Sequence, residues 1–539
     1  MDKKVLKLKK ILSRIKPEHD TPVGLIHPYW ARKPLNIINA IVETLSKPGD
    51  VVLDPFMGSG TIIFSALSLK RHAIGIDINP LSKFIVENIL KLNVQSQEKK
   101  DDALTFKNEM FEKIYPWYKW KLKNSYVDRE RYVVEGTFEQ GKYSLKPYEV
   151  VIRQMNGNGH YSRIVSETKT TVLNYPDPKS FLNHPVNFKD CKLIPNSRIA
   201  VQKGENLSHF YTVKNTASIN YALHLIKTNG FKNHSRDTLR FILSSSLPLL
   251  RLSDPKASSQ WPYWRPKNKL TSRSPITILE KRTKAFFKLM DWAKSNLGNT
   301  KIVPINKFDS SSKLSNVSII NKSASDVLNK KFTKVELLLT DPPYSDQVPY
   351  LEYSLLWVKV LGLRINENIW KKEIVKTDAP SRKNDTSDYS VRLEKAFKGC
   401  CDVIKKNGYL VWFYQDRELK NWSILGKVAK KNGFELMDIL PINKQRRSMK
   451  TVTSAGSTFD GDLILIFKNT GEENSEFKKY FGIKEIEENV LKAIDNHSNL
   501  FEKYASLIKC GLKDGWLEEL GDRKTDVVHF IKSLEKSDE

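Results

Sequence analysis

The stretch Thr340-Asp341-Pro342-Pro343-Tyr344 holds the residues best suited to chemistry. Two consecutive prolines fix φ and remove two backbone donors, so the turn offers carbonyls as acceptors only. A nitrogen whose lone pair is delocalised into an aromatic ring needs such surroundings. Asp341 and the Pro342 carbonyl can accept its two hydrogens and favour a more nucleophilic nitrogen, which helps most where charge develops during reaction. The rigid turn through Pro343 holds the amine in one orientation. Tyr344 offers a flat face on which a base drawn out of its stack can rest. The apolar run 335–339 reads as a strand, which sets Asp341 at a carboxyl end, where ligands of α/β sheets bind.

A second constellation is Asp54-Pro55-Phe56-Met57-Gly58-Ser59-Gly60-Thr61, between an apolar run (51–53) and a helical pattern (61–69). Gly58 and Gly60 let the backbone turn tightly and approach a ligand. The helix opening at Thr61 offers unpaired N–H groups and a positive dipole end, suited to a carboxylate. About twenty residues on, Asp77 closes the next strand, where an acidic side chain can hold ribose hydroxyls. The loop lacks the third spaced glycine of a dinucleotide site, leaving less room for a pyrophosphate. S-adenosylmethionine, with an amino-acid carboxylate and no phosphate, suits it better.

Two α/β segments position these motifs. Residues 34–92 read helix, strand, loop, helix, strand, helix, and continuous apolar strands alternating with helices imply a parallel sheet buried on both faces. The same pattern resumes near residue 317, with strands at 317–320, 335–339, 409–413, 436–440 and 463–467. Between them, charged and aromatic residues interleave (Tyr115-Pro116-Trp117-Tyr118-Lys119-Trp120-Lys121), with alternating stretches at 132–137 and 148–153 and a helix at 278–297. The expected organisation is an α/β catalytic domain in two parts, 1–94 and 317–470, split by an α+β insert at 95–316. A helical extension, 471–539, follows, with Ile483, Ile486, Val490, Leu491 and Ile494 on one face. Val5, Leu8, Ile11, Leu12 and Ile15 mark a short amphipathic helix at the N-terminus.

Composition narrows the partners. The 539 residues carry 89 Lys and Arg against 61 Asp and Glu, a net charge of +28 spread along the chain. A folded chain this basic is drawn to polyanions, and phosphate backbones are the commonest. Hydrophobic residues, 40% of the total, are enough for cores and argue against a disordered chain. The four cysteines have no zinc-ligand spacing, so no metal is expected. They read instead as buried thiols of a reducing compartment. No apolar run reaches the ~20 residues of a membrane span, and no membrane partner is expected.

Together the motifs resemble the amino-methylating DNA methyltransferases, whose signatures are FxGxG and an Asp, Asn or Ser followed by Pro-Pro and an aromatic. Phe56-Met57-Gly58-Ser59-Gly60 and Asp341-Pro342-Pro343-Tyr344 match them. His27-Pro28-Tyr29-Trp30-Ala31-Arg32-Lys33-Pro34 resembles the family's N-terminal cofactor motif. By resemblance His27, Tyr29, Arg32 and Lys33 lie against the cofactor's methionine end. Asp54, Pro55, Phe56, Gly58, Gly60, Thr61 and Asp77 line the rest of its site, and Asp326, beside Ser325, contacts its adenine. The stretches HPYWARKP, DPFMGSGT and TDPPYSDQVPYLEYS, with residues 241–265, look like large bacterial and archaeal adenine-specific methylases that carry long central insertions.

The resemblance implies a Rossmann-like class I S-adenosylmethionine-dependent sheet acting on adenine N6 of double-stranded DNA by base flipping. It also implies a prokaryotic cytosol or nucleoid and a cognate restriction nuclease or other defence protein as partner. Cytosine N4 and RNA guanine N2 are alternative targets; Asp341 favours adenine, and no RNA-binding module is recognisable. The insert begins right after the second strand, earlier than in the usual members. Its role in target recognition is inferred from position and composition. Lys119 and Lys121, with Lys123, Arg129 and Arg131, are candidates for phosphate contacts. So are Arg446 and Arg447, in a loop expected on the catalytic face.

Overall fold

The computed structural model describes all residues except 1, 19–20, 28, 31, 138–141, 156–160, 168–177, 197–198, 255–262, 264–267, 299, 345–347, 378, 381, 383–384, 444–460, 473–481, 496, 498, 524–525 and 538–539. Among the described residues twelve strands run in chain order: β1 (Val51–Asp54), β2 (His72–Ile76), β3 (Ser125–Thr137), β4 (Lys142–Met155), β5 (Tyr161–Glu167), β6 (Lys269–Arg273), β7 (Thr300–Ile302), β8 (Ser315–Ile320), β9 (Val335–Thr340), β10 (Ile404–Tyr414), β11 (Phe434–Asn443) and β12 (Gly461–Asn469).

Eight of them form one sheet, ordered β11-β12-β10-β9-β1-β2-β8-β7. Pairing is parallel from β10 through β9, β1, β2 and β8 to β7, while β12 runs antiparallel to both β10 and β11. This is a Rossmann-like α/β sheet. Every residue of β1 and β2 is buried, as a strand covered by helices on both faces requires. Chain order reverses between β1 and β9: from β1 the chain steps to β2 and β8 on one side, and to β9 and β10 on the other. Such a switch point leaves a crevice at the carboxyl ends of the two strands, and both motifs end there.

The segment between β2 and β8 holds a four-stranded antiparallel sheet, β5-β4-β3-β6. Long helices flank it, Ser96–Tyr118, Val213–Thr228, Asn233–Leu250 and Pro275–Leu297. β7, within the span read from sequence as insert, hydrogen-bonds to β8 as the edge of the main sheet. The insert's helices share one apolar cluster with the catalytic layer, in which Phe241, Phe286 and Leu289 join Ile37, Phe64 and Trp357. Ser244, Ser245 and Ser246 spend their hydroxyls on carbonyls of their own helix. The Ser244 carbonyl accepts from Trp357 Nε1 at 2.9 Å. Tyr263 is buried, and its hydroxyl accepts from the Leu356 amide at 2.8 Å.

The C-terminal helices Ile483–Ile494, Leu500–Asp514, Leu517–Arg523 and Val527–Ser537 pack on the catalytic sheet. Val490, Ile494, Tyr504, Ile508 and Trp516 lie in one cluster with Trp412, Trp422 and Leu465. Gly461, opening β12, has no room for a side chain because the Phe501 ring fills that space. At the other end of the chain, the helix Lys3–Leu12 buries Val5 and Leu8 but stops at its Ser13 cap, so Ile15 lies beyond it.

Candidate active site

At the carboxyl end of β1, Asp54 is 2% exposed. Its Oδ1 accepts from Thr340 Oγ1 at 2.7 Å and from the Phe56 amide at 3.1 Å, which ties β1, β9 and the glycine loop together. Burial pushes its carboxyl up to about 8, against the lowering effect of those two hydrogen bonds.

The loop then turns at Gly58 (φ +49°) and Gly60 (φ +80°), both left-handed. A Cβ on Gly60 would stand 2.6 Å from Val86 Cγ2, and one on Gly58 would stand 3.0 Å from the Tyr29 ring. Asp77, at the end of β2, accepts the Gly58 and Asn79 amides at 2.8 Å each. Burial raises it to about 6 against those two bonds. The loop is thus held from both flanking strands.

These groups wall a cleft of about 830 Å³, open solvent included, whose lining contains Tyr29, Arg32, Lys33, Asp77, Asp341 and Glu373. Pro55, Phe56, Gly58 and Thr61 also face it; Gly60 stands behind the wall. Tyr29 stacks on Tyr350, with ring centroids 6.1 Å apart.

Arg32 donates to Ser59 Oγ (3.1 Å) and to the carbonyls of Val23 (3.1 Å) and His27 (2.9 Å). It makes no ion pair with a described residue, and burial lowers its guanidinium to about 10. A half-buried cation without a carboxylate partner, facing a cleft, is a ready seat for a ligand carboxylate.

Deeper in, Lys33 Nζ lies 3.1 Å from Asp341 Oδ1 and 2.9 Å from Asp462 Oδ2 and donates to the Tyr344 hydroxyl at 3.0 Å. The ammonium also sits over the Tyr344 and Phe413 rings, 5.2 and 5.4 Å from their centroids. Burial by itself would depress Lys33, but the two carboxylates reverse the shift and keep it protonated. Tyr344 donates to Asp341 Oδ1 at 2.8 Å. Burial lifts Asp341 to about 6, helped by Asp462 and opposed by Lys33 and the Tyr344 bond. Near neutral pH Asp341 is therefore an ionised acceptor, more basic than an ordinary carboxylate.

The proline turn is fixed from behind. Tyr389 donates to the Pro343 carbonyl at 2.8 Å and lies 3.2 Å from the Tyr414 hydroxyl. Tyr414 donates to Asp416 Oδ2 at 2.7 Å, and the C-terminal Tyr504 donates to the Asp416 carbonyl at 3.1 Å. Pro342 is buried beside it.

Several assignments made from sequence change. His27 is fully buried between Phe241 and Trp357, centroids 5.9 and 5.7 Å away, and packs the motif rather than lining the cleft. Lys33 reaches the Asp341–Tyr344 turn itself. Asp326 pairs with Lys372 at 2.6 Å, and it is Lys372 that lines the cleft. Tyr344 is only 6% exposed, with Lys33 over its ring and the Tyr414 edge against it, so it presents no open stacking face here. Lys119 and Lys121 are exposed on the insert, apart from the cleft lining. Arg446 and Arg447 lie outside the described residues.

Asp462 was missed. Its only sequence signal is an acidic residue directly ahead of the apolar run 463–467, in the position Asp54 and Asp77 hold at the opposite ends of their strands. Among the described residues no group of acidic, His or Cys side chains could hold a metal ion. No described helix is long and apolar enough to cross a membrane.

Comparison with known proteins adds to the geometry. The chain is 45% identical over 49 residues to Type II methyltransferase M.HindIII of Haemophilus influenzae, covering 9% of this chain and 16% of that one. It is 33% identical over 75 residues to Type II methyltransferase M.MjaII of Methanocaldococcus jannaschii, 14% of each chain. It is 46% identical over 52 residues to Type II methyltransferase M.HpaI of Haemophilus parainfluenzae, 10% of this chain and 17% of that one. Each alignment thus spans less than a fifth of the relative's length. A family model described as DNA methylase, for N6 and N4 methyltransferases, matches residues 2–87 and 335–521, just over half the chain, and passes over the segment between. With the reaction-centre turn and the glycine loop meeting at the switch point of the sheet, the chain belongs to the N6/N4 DNA methylase family.

Proposed function

We propose that this protein transfers a methyl group from S-adenosylmethionine to the exocyclic N6 of adenine in double-stranded DNA. The observation that carries the reading is that Asp341, held ionised by Lys33, stands on the wall of the same cleft that the glycine loop forms. The relatives' names support a prokaryotic restriction-modification or other defence setting. A cognate nuclease is the protein partner proposed with it, in the cytosol or nucleoid where DNA is reached. In this reading residues 95–316 are a target-recognition insert between catalytic parts 1–94 and 317–470, with 471–539 as a helical extension.

The residues present fit S-adenosylmethionine. Gly58 on the cleft wall has no room for a side chain, since a Cβ there would stand 3.0 Å from the Tyr29 ring that lines the same cleft, and Arg32 is a half-buried cation lacking a carboxylate partner among described residues. Arg32 would hold the cofactor's carboxylate, Asp77 its ribose hydroxyls, and Tyr29 and Phe56 its flanks. When bound, the cofactor would supply an electrophilic methyl group on a sulfonium, the electron pair of the broken S–CH3 bond leaving with the sulfur as a neutral thioether.

The chain's own part is to hold the amine and to manage charge. Asp341 and the Pro342 carbonyl accept the two amine hydrogens, which orients the nitrogen lone pair toward the cleft. As that nitrogen gains a bond it becomes cationic, and the Asp341 carboxylate stabilises it and takes a proton at Oδ. Lys33, anchored by Asp462, keeps Asp341 ionised beforehand. Tyr389, on the Pro343 carbonyl, keeps the turn from rotating. Adenine is proposed over cytosine N4 because Asp heads the tetrapeptide.

The test is transfer of tritiated methyl to long unmethylated DNA and to RNA, followed by nucleoside analysis. N6-methyladenine in duplex DNA is expected. N4-methylcytosine would move the target to cytosine, and label in RNA alone would overturn the DNA reading.

A further inference from the structure

The insert carries a concentration of positive charge that the reaction centre does not use. Arg129 on β3 and Arg273 on β6 stand directly opposite each other in the antiparallel register. Like charges so placed destabilise a sheet pair, so the pairing is costly unless an anion offsets it. Arg153 on β4 joins them: Arg129 Nε and Arg153 Nε lie 3.5 and 3.3 Å from the carboxylate of Asp128, itself only 3% exposed. Lys281, exposed on the helix Pro275–Leu297, faces the same group. Four cations thus surround Asp128, with Asp254 as the second carboxylate in range of Arg273.

Partial loss of solvent around its ammonium depresses Lys281 despite its exposure, and Arg153, Arg129 and Arg273 depress it further, with Asp128 opposing. Arg273 is lowered in the same way, first by burial and then by Arg129. The charges therefore repel within one field. They are also aimed by the backbone: the register of β3 against β4 shifts between Val127 and Arg129, a bulge at Asp128 of the kind that redirects side chains.

The neighbouring candidates do not share this excess. Arg131 is taken by both oxygens of Glu149, at 2.6 and 2.7 Å, and Lys214 is paired with Glu130. The cluster is also joined to the catalytic side. Arg282, next to Lys281, donates to the carbonyls of Leu25 and Ile26, which lead into the motif carrying Arg32 and Lys33.

We propose that Arg129, Arg153, Arg273 and Lys281 form a binding site for the phosphate backbone of duplex DNA, seating the substrate on the insert. The inference rests on DNA being the substrate of the adjoining centre. A phosphate seated between the Arg129 and Arg273 side chains would relieve their repulsion and release counterions, giving affinity that is strong in low salt and indifferent to sequence.

The experiment uses the full chain with Lys281→Gln, Arg153→Gln and both together, and anisotropy of a labelled duplex of arbitrary sequence across a salt series. The slope of log affinity against log salt should become shallower by about 0.9 for each phosphate that is no longer neutralised. Lys281→Arg should restore it, with cofactor affinity by calorimetry and the melting temperature unchanged. If Arg153→Gln lowers the melting temperature through Asp128, the exposed Lys281→Gln decides alone. Wild-type slope and affinity in the variants, with the wild-type enzyme still labelling long unmethylated DNA, overturn this site and leave the activity standing. Wild-type enzyme that labels only RNA, or no nucleic acid, overturns both.

Discussion

Replacing Lys33 by Met removes the cation that opposes burial on Asp341 while keeping the length of the side chain. The contact at 3.1 Å is a charge-assisted hydrogen bond between half-buried partners, a class worth about 1.5–3 kcal/mol. At 1.36 kcal/mol per pKa unit this moves Asp341 up by about one to two units, from about 6. The direction follows from the charges: loss of Lys33 leaves Asp341 facing Asp462, so the ionised form is less favoured. Near pH 7 the ionised fraction then falls from about nine-tenths to between about one half and one tenth. The assay is kcat/KM for duplex DNA from pH 5.5 to 9, which reports the free-enzyme pKa of an essential base. The acid limb should shift upward in Lys33→Met, with activity largely recovered at pH 9. Cofactor KM is measured alongside because Lys33 also lines the cleft. A uniform loss at every pH with the acid limb unmoved would refute the role given to Lys33.

Asp341→Ala should abolish methyl transfer while cofactor binding by calorimetry stays within a few-fold of wild type; near wild-type transfer would remove Asp341 from the centre. Tyr389→Phe frees the Pro343 carbonyl and should lower kcat several-fold with cofactor KM unchanged, a split that steady-state kinetics reads directly. Gly60→Ala puts a Cβ against Val86 at a left-handed φ and should cost about 1–3 kcal/mol, visible in the melting temperature and in weaker cofactor binding. Asp54 has a folded pKa of about 8, above the unfolded value near 3.9, so the folded state keeps a proton that the unfolded chain releases. Its contribution to stability is greatest at acid pH and is lost as pH rises through the folded pKa. Asp54→Asn, which can still accept from Thr340 and Phe56, should therefore gain in melting temperature relative to wild type between pH 5 and 8.

What could be read from sequence was what neighbouring residues encode together. Asp54 to Thr61 and Thr340 to Tyr344 specify their own turns, and the runs around them specify strands, so the cleft and its two walls were legible. The centre itself was less so, because Lys33, Asp341 and Asp462 meet only after β9, β10 and β12 align. Nothing local to Lys33 distinguishes a residue that reaches the reaction centre from one that holds the cofactor. His27 shows the converse: it belongs to the same motif, yet the fold spends it on packing between Phe241 and Trp357. The amphipathic tail helices announced an apolar face but not its partner. The bare Cα of Gly461 under Phe501, which marks that partner, lies forty residues upstream.

The link between Lys33 and Asp462 spans 429 residues. At about 5–20 residues per second of synthesis, roughly 20–90 s separate the appearance of the two side chains. A nascent chain can complete the glycine loop and expose Asp341 well before β12 exists, but it lacks the counter-ion that fixes Lys33 and the helices that close over the strand. Competence therefore arrives late and all at once. On the proposed function, a chain truncated at residue 460, before β12, should show no methyl transfer.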